Sequence, residues 1–319
     1  MPSPRIPERW ILAALTGVFV TSVAAWLAPF GWPFELFAHF RLQLAVAAAL
    51  LAPALLLARS PRAALLSAAL AVAQFAPGAQ RLLADEPAPA CGGPTFVVVT
   101  ANVEFNNRDR RQFLAWLAAH PADIVVVQEV TPTWARELDS LADYPHRRIV
   151  TREDPYGIAV LSRWPFESLE RVDLAGDGIP SLEGIAMVRG QRIHVLGLHA
   201  RWPILPQLAR ARDRALLRVA ALSRAQSIPT VVAGDLNLTP DSPAFARLLD
   251  DSRLRDAFAG RGWQPTWMAG FWPLALRIDH ELVSPALCVA HAEVGPDIGS
   301  DHRPVIARLR LPHGGLQTG

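Results

Sequence analysis

Acidic, amide and imidazole side chains recur in this chain at one kind of place, the polar residues that bound a short apolar run. Thr230-Val-Val-Ala-Gly234 passes straight into Asp235-Leu-Asn237 and stops at Pro240. The β-branched residues favour a pleated backbone, Gly234 permits close approach or positive φ, and proline ends the strand. Asp235 and Asn237 are two apart, so on extended backbone they point the same way and place a carboxylate and an amide together. Asn102 and Glu104 follow the run 96–101 with the same spacing. Glu129 follows 122–127, His199 ends 193–198, Asp279 lies at the start of 278–283, and Asp301 and His302 precede 304–311. Ionised groups that converge must be compensated. A hard divalent cation does so, and oxygen donors favour Mg²⁺ or Mn²⁺ over Zn²⁺. With two imidazoles added, the set supplies what phosphoester hydrolysis needs: an oriented water, neutralised phosphoryl oxygens and help for the leaving group.

These residues need strands that end together. Phe96–Ala101, Ala122–Val127, Tyr156–Ser162, Ile193–His199, Thr230–Ala233, Ile278–Val283, Cys288–Val294 and Pro304–Leu311 have the apolar, β-branched character of core strands. Gln112–Ala119 has helical spacing, with Phe113, Trp116 and Leu117 on one face. Leu208–Ser223 predicts a helix with Leu216, Leu217, Ala220 and Leu222 inside and Arg outside. Ser242–Leu249 predicts another, with Ser242 as cap and Pro243 at its first position. Strand and helix alternate, as in a layered α/β fold, and this many strands suits two stacked sheets. His280 alternates away from Asp279 and reads as packed or surface, His194 as structural, and His120, His146 and His291 as loop or surface residues without a role.

The first part of the chain is of another kind. Trp10 to Phe34 holds no charged residue, against the roughly 20 apolar residues that cross a bilayer. Runs 42–58 and 63–80 follow, and three membrane spans are expected within an anchor of residues 1–82. Arg5, Arg9 and the loop Arg59–Arg62 are the basic flanks, which puts them in the cytoplasm and everything after Arg81 outside. A cleaved signal peptide is the competing reading of the first run. Residues 83–94 read as a linker, 95–312 as the globular domain and 313–319 as a tail. An extracytoplasmic location would permit a disulfide between Cys91 and Cys288, although sequence leaves open whether the two meet. All 31 basic residues are Arg. After residue 90 they are balanced by acids, which gives no global support for a nucleic-acid-binding face.

Seven short motifs, in order, resemble the endonuclease/exonuclease/phosphatase superfamily, which includes deoxyribonuclease I, neutral sphingomyelinases and inositol polyphosphate 5-phosphatases. They are Asn102-Val-Glu104, Val127-Gln-Glu129, Tyr156-Gly157 with Leu161-Ser-Arg163, Leu198-His199, Gly234-Asp-Leu-Asn237, Arg277-Ile-Asp279 and Ser300-Asp-His302, and they extend over about residues 95–311. The resemblance implies a four-layer α/β/β/α sandwich of two mixed sheets behind an N-terminal transmembrane helical region. It implies Glu129 as main metal ligand, assisted by Asn102, Glu104 or Asp301. Asp235 would orient or deprotonate the attacking water, Asn237 would hold a phosphate oxygen, His302 paired with Asp279 would contact the phosphate, and His199 would be the second imidazole.

Tyr156, Arg201 and Trp202 are expected to contact substrate. Arg201–Pro206 and the cluster Trp263, Trp267, Phe271 and Trp272 are expected near the cleft mouth, where Trp and Phe suit a membrane interface. The favoured function is a metal-dependent phosphodiesterase or phosphatase acting outside the cytoplasmic (inner) membrane. Its expected partners are the lipid bilayer and a phosphoester, a lipid headgroup before nucleic acid, with no obligate protein partner. An extracytoplasmic nuclease using Arg201, Arg210, Arg212 and Arg214 is the alternative, and a catalytically silent membrane adaptor is a third.

Overall fold

A computed structural model describes residues 8–83 and 91–312. Arg5, most of the expected linker and the whole expected tail lie outside the described residues. The chain divides into two compact units, Met1–Ala84 with Pro240–Pro243, and Asp85–Thr239 with Ala244–Gly319.

The first unit holds helices α1 (Glu8–Trp26), α2 (Glu35–Ala38), α3 (Arg41–Leu57) and α4 (Pro61–Leu83). Its exterior is apolar, with Phe19, Val20, Val23, Leu50, Leu65 and Val72 all exposed. Its interior carries a polar pin. The buried guanidinium of Arg41 donates to Gln74 Oε1 at 3.0 Å and to the Ala25 carbonyl at 2.8 Å, and lies 4.5 Å from the Trp26 ring centroid. Gln74 in turn donates to the Ser22 carbonyl at 3.1 Å, so α1, α3 and α4 are tied by side chains that would be costly to expose to hydrocarbon. Among the described residues, α1 and Pro61–Ala79 are long and apolar enough to cross a membrane, and Arg41–Leu57 is a shorter apolar helix. Two helices rather than the expected three therefore reach that length. The middle one is cut short because Arg59 takes a positive φ of 63° and Pro61 opens α4.

The second unit is built on two six-stranded sheets. Its strands are β1 (Thr95–Asn102), β2 (Ile124–Gln128), β3 (His146–Val150), β4 (Ile158–Ser162), β5 (Phe166–Val172), β6 (Ser181–Val188), β7 (Gln191–His199), β8 (Thr230–Asp235), β9 (Arg255–Asp256), β10 (Asp279–Val283), β11 (Cys288–Val294) and β12 (Val305–Arg310). One sheet runs β11-β12-β1-β2-β4-β3 and the other β5-β6-β7-β8-β10-β9. Each is mixed: β1 pairs parallel with β2 and β7 with β8, and their other pairings are antiparallel. Val98, Val126 and Val160 of the first sheet share one core with Val195, Val231 and Val283 of the second. Helices α5 (Arg111–Ala119) and α6 (Pro132–Asp139) cover the outer face of the first sheet through Phe113, Trp116 and Trp134. Helices α7 (Pro206–Ala225) and α8 (Pro243–Ser252) cover the second through Leu216, Val219, Phe245 and Leu248. The architecture is the four-layer α/β/β/α sandwich. It explains why β2 and β8 read as unbroken apolar runs, since both faces of each are buried.

Five elements of the second unit lacked a sequence signal, namely α6, β3, β5, β6 and β9. Strand β5 (FESLERV) has no buried residue, and β6 mixes buried and half-buried positions. In α7 Leu216 and Ala220 are buried and Leu222 packs against the core as expected, but Leu217 is 63% exposed and Arg212 is fully buried. The small residues Ala209, Ala215 and Ala220 let α7 lie close to its sheet, and they set the buried face in place of the longer Leu217. Cys91 and Cys288 form a disulfide, tying the segment before β1 to the start of β11.

Gly234 is the glycine the site most depends on. Its φ is +149°, and a Cβ there would stand 1.9 Å from the Leu198 carbonyl oxygen on neighbouring β7. Gly234→Ala is expected to cost at least about 1–3 kcal/mol through strain and overpacking, read as a fall in Tm.

Candidate active site

Strand register assembles the centre. Asp235 ends β8, lies opposite His199 across the parallel β7 pairing and opposite Asp279 across the antiparallel β10 pairing. Three residues of one sheet edge, far apart in sequence, are thus neighbours. His302 enters from the loop before β12, with its Nδ1 2.8 Å from Asp279 Oδ2 and its Nε2 3.9 Å from Asp235 Oδ2. His199 Nε2 is 3.4 Å from the same Asp235 oxygen. From the facing sheet, Asn102 Nδ2 donates to that oxygen at 3.2 Å and to Glu129 Oε1 at 2.9 Å. Asp235, Asp279, His199, His302 and Asn102 are all buried.

Burial works against each charge here, and neighbouring charges outweigh it at His302, His199 and Asp235 but not at Asp279. Burial would push His302 down, but Asp279, Asp235 and Asp301 push it up to about 10. Burial would likewise lower His199, and Asp235 raises it. Burial would raise the Asp235 carboxyl, and the two imidazoles with the Asn237 N–H hold it below its usual range. Burial pushes Asp279 up against the opposing charge of His302. We take this pair as ionised, because the 2.8 Å contact gives each buried charge its partner. His302 is therefore a charged donor at neutral pH, with a proton held below about 10 and lost above it. Activity is expected to hold from neutral pH to about 9 and to fall as pH passes about 10. Asp279→Asn, which removes the nearest anion, is expected to move that fall to lower pH in a pH–rate profile.

The metal-side residues leave their strands through unusual backbone. Glu104, Glu129 and Asn237 have φ of 58°, 65° and 51°, a left-handed conformation uncommon for such residues and typical of functional turns. Glu129 accepts from Asn102 Nδ2 at Oε1 and from the Phe105 N–H at Oε2, 2.8 Å away. Glu104 Oε2 accepts the Asp301 N–H at 3.3 Å. Burial, then Asp301 and Glu129, push the Glu104 carboxyl up. Glu104 contacts Asp301 and feels the charge of Glu129, and these three acids are the kind of all-oxygen, negatively charged donor set that suits a hard divalent cation. Among the described residues, the group that brings one ligand atom each within 4.8 Å of one another is Asp235, Asp279 and His302. The His302 proton offsets one of the two carboxylate charges in that cluster.

Asn237 N–H donates to Asp235 Oδ1 at 2.8 Å, and one hydrogen of its side-chain amide goes to the Ala200 carbonyl at 2.9 Å, leaving the second for a ligand. Tyr156 packs on His199 with centroids 5.0 Å apart, and Arg201 lies 4.7 Å over the Tyr156 ring with its Nε 2.7 Å from Asp177 Oδ2. Trp202 follows and is exposed. His280 is fully buried, donating from Nε2 to the Leu238 carbonyl at 2.8 Å. His194 is paired with Glu183 at 3.0 Å.

Three contributors carried no assigned role in the sequence. Thr266 Oγ1 accepts the N–H groups of Ile278 and Asp279 at 3.1 and 3.2 Å, Trp267 Nε1 donates to Asp301 Oδ2 at 2.9 Å, and Ser300 Oγ donates to the Asn102 carbonyl at 2.8 Å. Ser300 lies in its motif and Trp267 in the aromatic cluster expected near the cleft mouth, whereas Thr266 carried no signal.

A two-sheet sandwich with paired acids, two imidazoles and an oxygen-rich corner at one edge defines a phosphoester hydrolase. Residues 99–302 match the Endonuclease/Exonuclease/phosphatase family, and the chain belongs to it. No curated protein matches the chain in sequence. Solved structures are similar in fold. An endonuclease/exonuclease/phosphatase from Beutenbergia cavernae superposes with a TM-score of 0.57 at 23% identity, covering 68% of this chain and 72% of that one. D. rerio TDP2 complexed with single strand DNA product gives 0.58 at 19% identity, covering 68% and 99%. Sphingomyelinase C from Streptomyces griseocarneus gives 0.53 at 22% identity, covering 67% and 99%.

Proposed function

We infer that this hydrolase is anchored in a membrane, works outside the cytoplasm and cleaves a phosphoester carried by a lipid headgroup. The observation that carries the chemistry is Asp235, held between two imidazoles and the Asn102 amide within 4 Å. Asp235 takes the proton of the attacking water, and the charged His302, held in orientation by Asp279, donates to a phosphoryl oxygen. His199 and the free hydrogen of Asn237 donate to the others. Glu129, with Glu104, Asp301 and the Asn102 oxygen, would hold Mg²⁺ or Mn²⁺, which supplies charge neutralisation on the phosphoryl group.

Two features support the location. The Cys91–Cys288 disulfide belongs to an oxidising compartment. With basic flanks on the cytoplasmic side, an external domain requires an odd number of crossings, so the 17-residue α3 would cross together with α1 and α4. At about 1.5 Å per residue it spans roughly 25 Å, near the thickness of a thin bilayer core. Reporter fusions at residue 59 and after residue 312 test this, and opposite sides of the membrane are expected.

A nuclease is the second reading, favoured by the likeness to TDP2 complexed with single strand DNA product. Arg201 is already committed to Asp177, which counts against it. Turnover with Mg²⁺ on phospholipid vesicles and on plasmid DNA, each across a salt series, separates the two. Headgroup release with little salt dependence is expected. DNA cleavage that falls steeply with salt, with no action on lipid, would replace the lipid reading.

A further inference from the structure

We propose that two uncharged loops flanking the active site dock its mouth onto the surface of a lipid bilayer, so that the substrate is taken directly from that surface. Apart from Leu217, every large hydrophobic side chain described as exposed in the second unit lies in two segments, 202–205 and 263–274. Such concentration is the mark of an interaction surface, since isolated exposed apolar residues are scattered on ordinary proteins.

Both segments are fixed to the catalytic residues. The first leaves Ala200, whose N–H donates to the Asp235 carbonyl at 2.8 Å and whose carbonyl accepts from Asn237. Trp202, Ile204 and Leu205 follow at 54%, 45% and 45% exposure. The second is held by Trp267 Nε1 on Asp301 and by the Met268 N–H on the Asp301 carbonyl, 2.9 Å each, next to His302. Its tip is a series of tight turns, Phe271 N–H to Met268 O and Leu274 N–H to Phe271 O, that presents Phe271, Trp272 and Leu274 at 54%, 47% and 40% exposure.

Charge identifies the occupant. Residues 202–209 and 262–276 contain no Asp, Glu, Lys or Arg. A polyanion would find no cation there, and a partner protein held by ion pairs would find no counter-charge. Indole and phenyl rings on proline-stiffened loops suit the interface between headgroups and acyl chains, and α1 and α4 are long and apolar enough to keep the chain at a bilayer. Without charge on the loops, docking does not depend on anionic lipid.

This inference rests on the anchored, lipid-directed reading above, so its test includes a readout independent of catalysis. The full chain is reconstituted in phosphatidylcholine vesicles containing bromolipid, and tryptophan quenching is compared with that of Trp272→Phe. Hydrolysis of vesicle lipid and of a soluble phosphodiester is then measured for Ile204→Ser, Phe271→Ser and Leu274→Ser. A quenching component lost in Trp272→Phe, with lipid turnover down about tenfold per substitution and soluble turnover unchanged, is the expected result. Equal loss on both substrates without that component would overturn the proposal. So would an oligomer dispersed by the same substitutions and unquenched by bromolipid. Quenching with cleavage of DNA alone would uphold the docking surface and remove the lipid substrate.

Discussion

Asp235→Asn lowers kcat by roughly 10²–10⁴-fold with KM little changed, because it removes the base and leaves the binding groups in place. The carboxylate is the hub of the centre, touched by His199, His302, Asn102 and the Asn237 N–H. Asparagine has the same shape, and its carbonyl still accepts the Asn237 N–H, so the loop and the fold persist. Lost are the charge that supports both imidazoles and the lone pair that takes a proton. The rate should be measured on a soluble phosphodiester, with a melting curve to show that the variant is folded. A loss below about threefold would remove Asp235 from the proton transfer.

Glu129→Gln is expected to weaken Mn²⁺ binding by at least about 100-fold, more than second-sphere losses usually reach, and to reduce turnover with it. Glu129 accepts two N–H groups, one per oxygen, from Asn102 and Phe105. Glutamine can accept only one of these and turns an NH₂ toward the other donor, while the negative charge that offsets the cation disappears. Titration calorimetry on the full chain in detergent reads the affinity directly. Unchanged Mn²⁺ affinity would move the cation to the Asp235, Asp279 and His302 cluster.

The site was legible where side-chain direction follows from strand periodicity. Asp235, Asp279 and His199 stand at the ends of apolar runs, whereas Asn237 lies past the end of β8 at a φ of 51° and reaches the site by its N–H bond to Asp235 rather than by the extended i, i+2 spacing expected of it. The left-handed backbone at Glu104 and Glu129 was not legible, because nothing in a glutamate indicates positive φ; tertiary contacts impose it. Thr266 escaped notice because its hydroxyl accepts from backbone N–H groups twelve and thirteen residues on. Strand β5, polar and without a buried residue, lacked the alternation that β-pattern reading requires, and in α7 the inward Leu216 and Ala220 were legible while the burial of Arg212 and the exposure of Leu217 were not. The pairing of Cys91 with Cys288 depends on bringing β11 beside β12 and β1, a topological fact beyond local sequence.

The central claim is metal-dependent phosphoester hydrolysis at this centre. Its most direct test is product release from one soluble phosphodiester by the full chain in detergent, with Mg²⁺ and then with excess chelator, for wild type and His302→Ala. Mg²⁺-dependent turnover, abolished by chelator and at least about 100-fold lower in the variant, is the result expected of a charged donor on the phosphoryl group. Turnover that persists undiminished under chelation, or that is untouched by His302→Ala, would contradict the account.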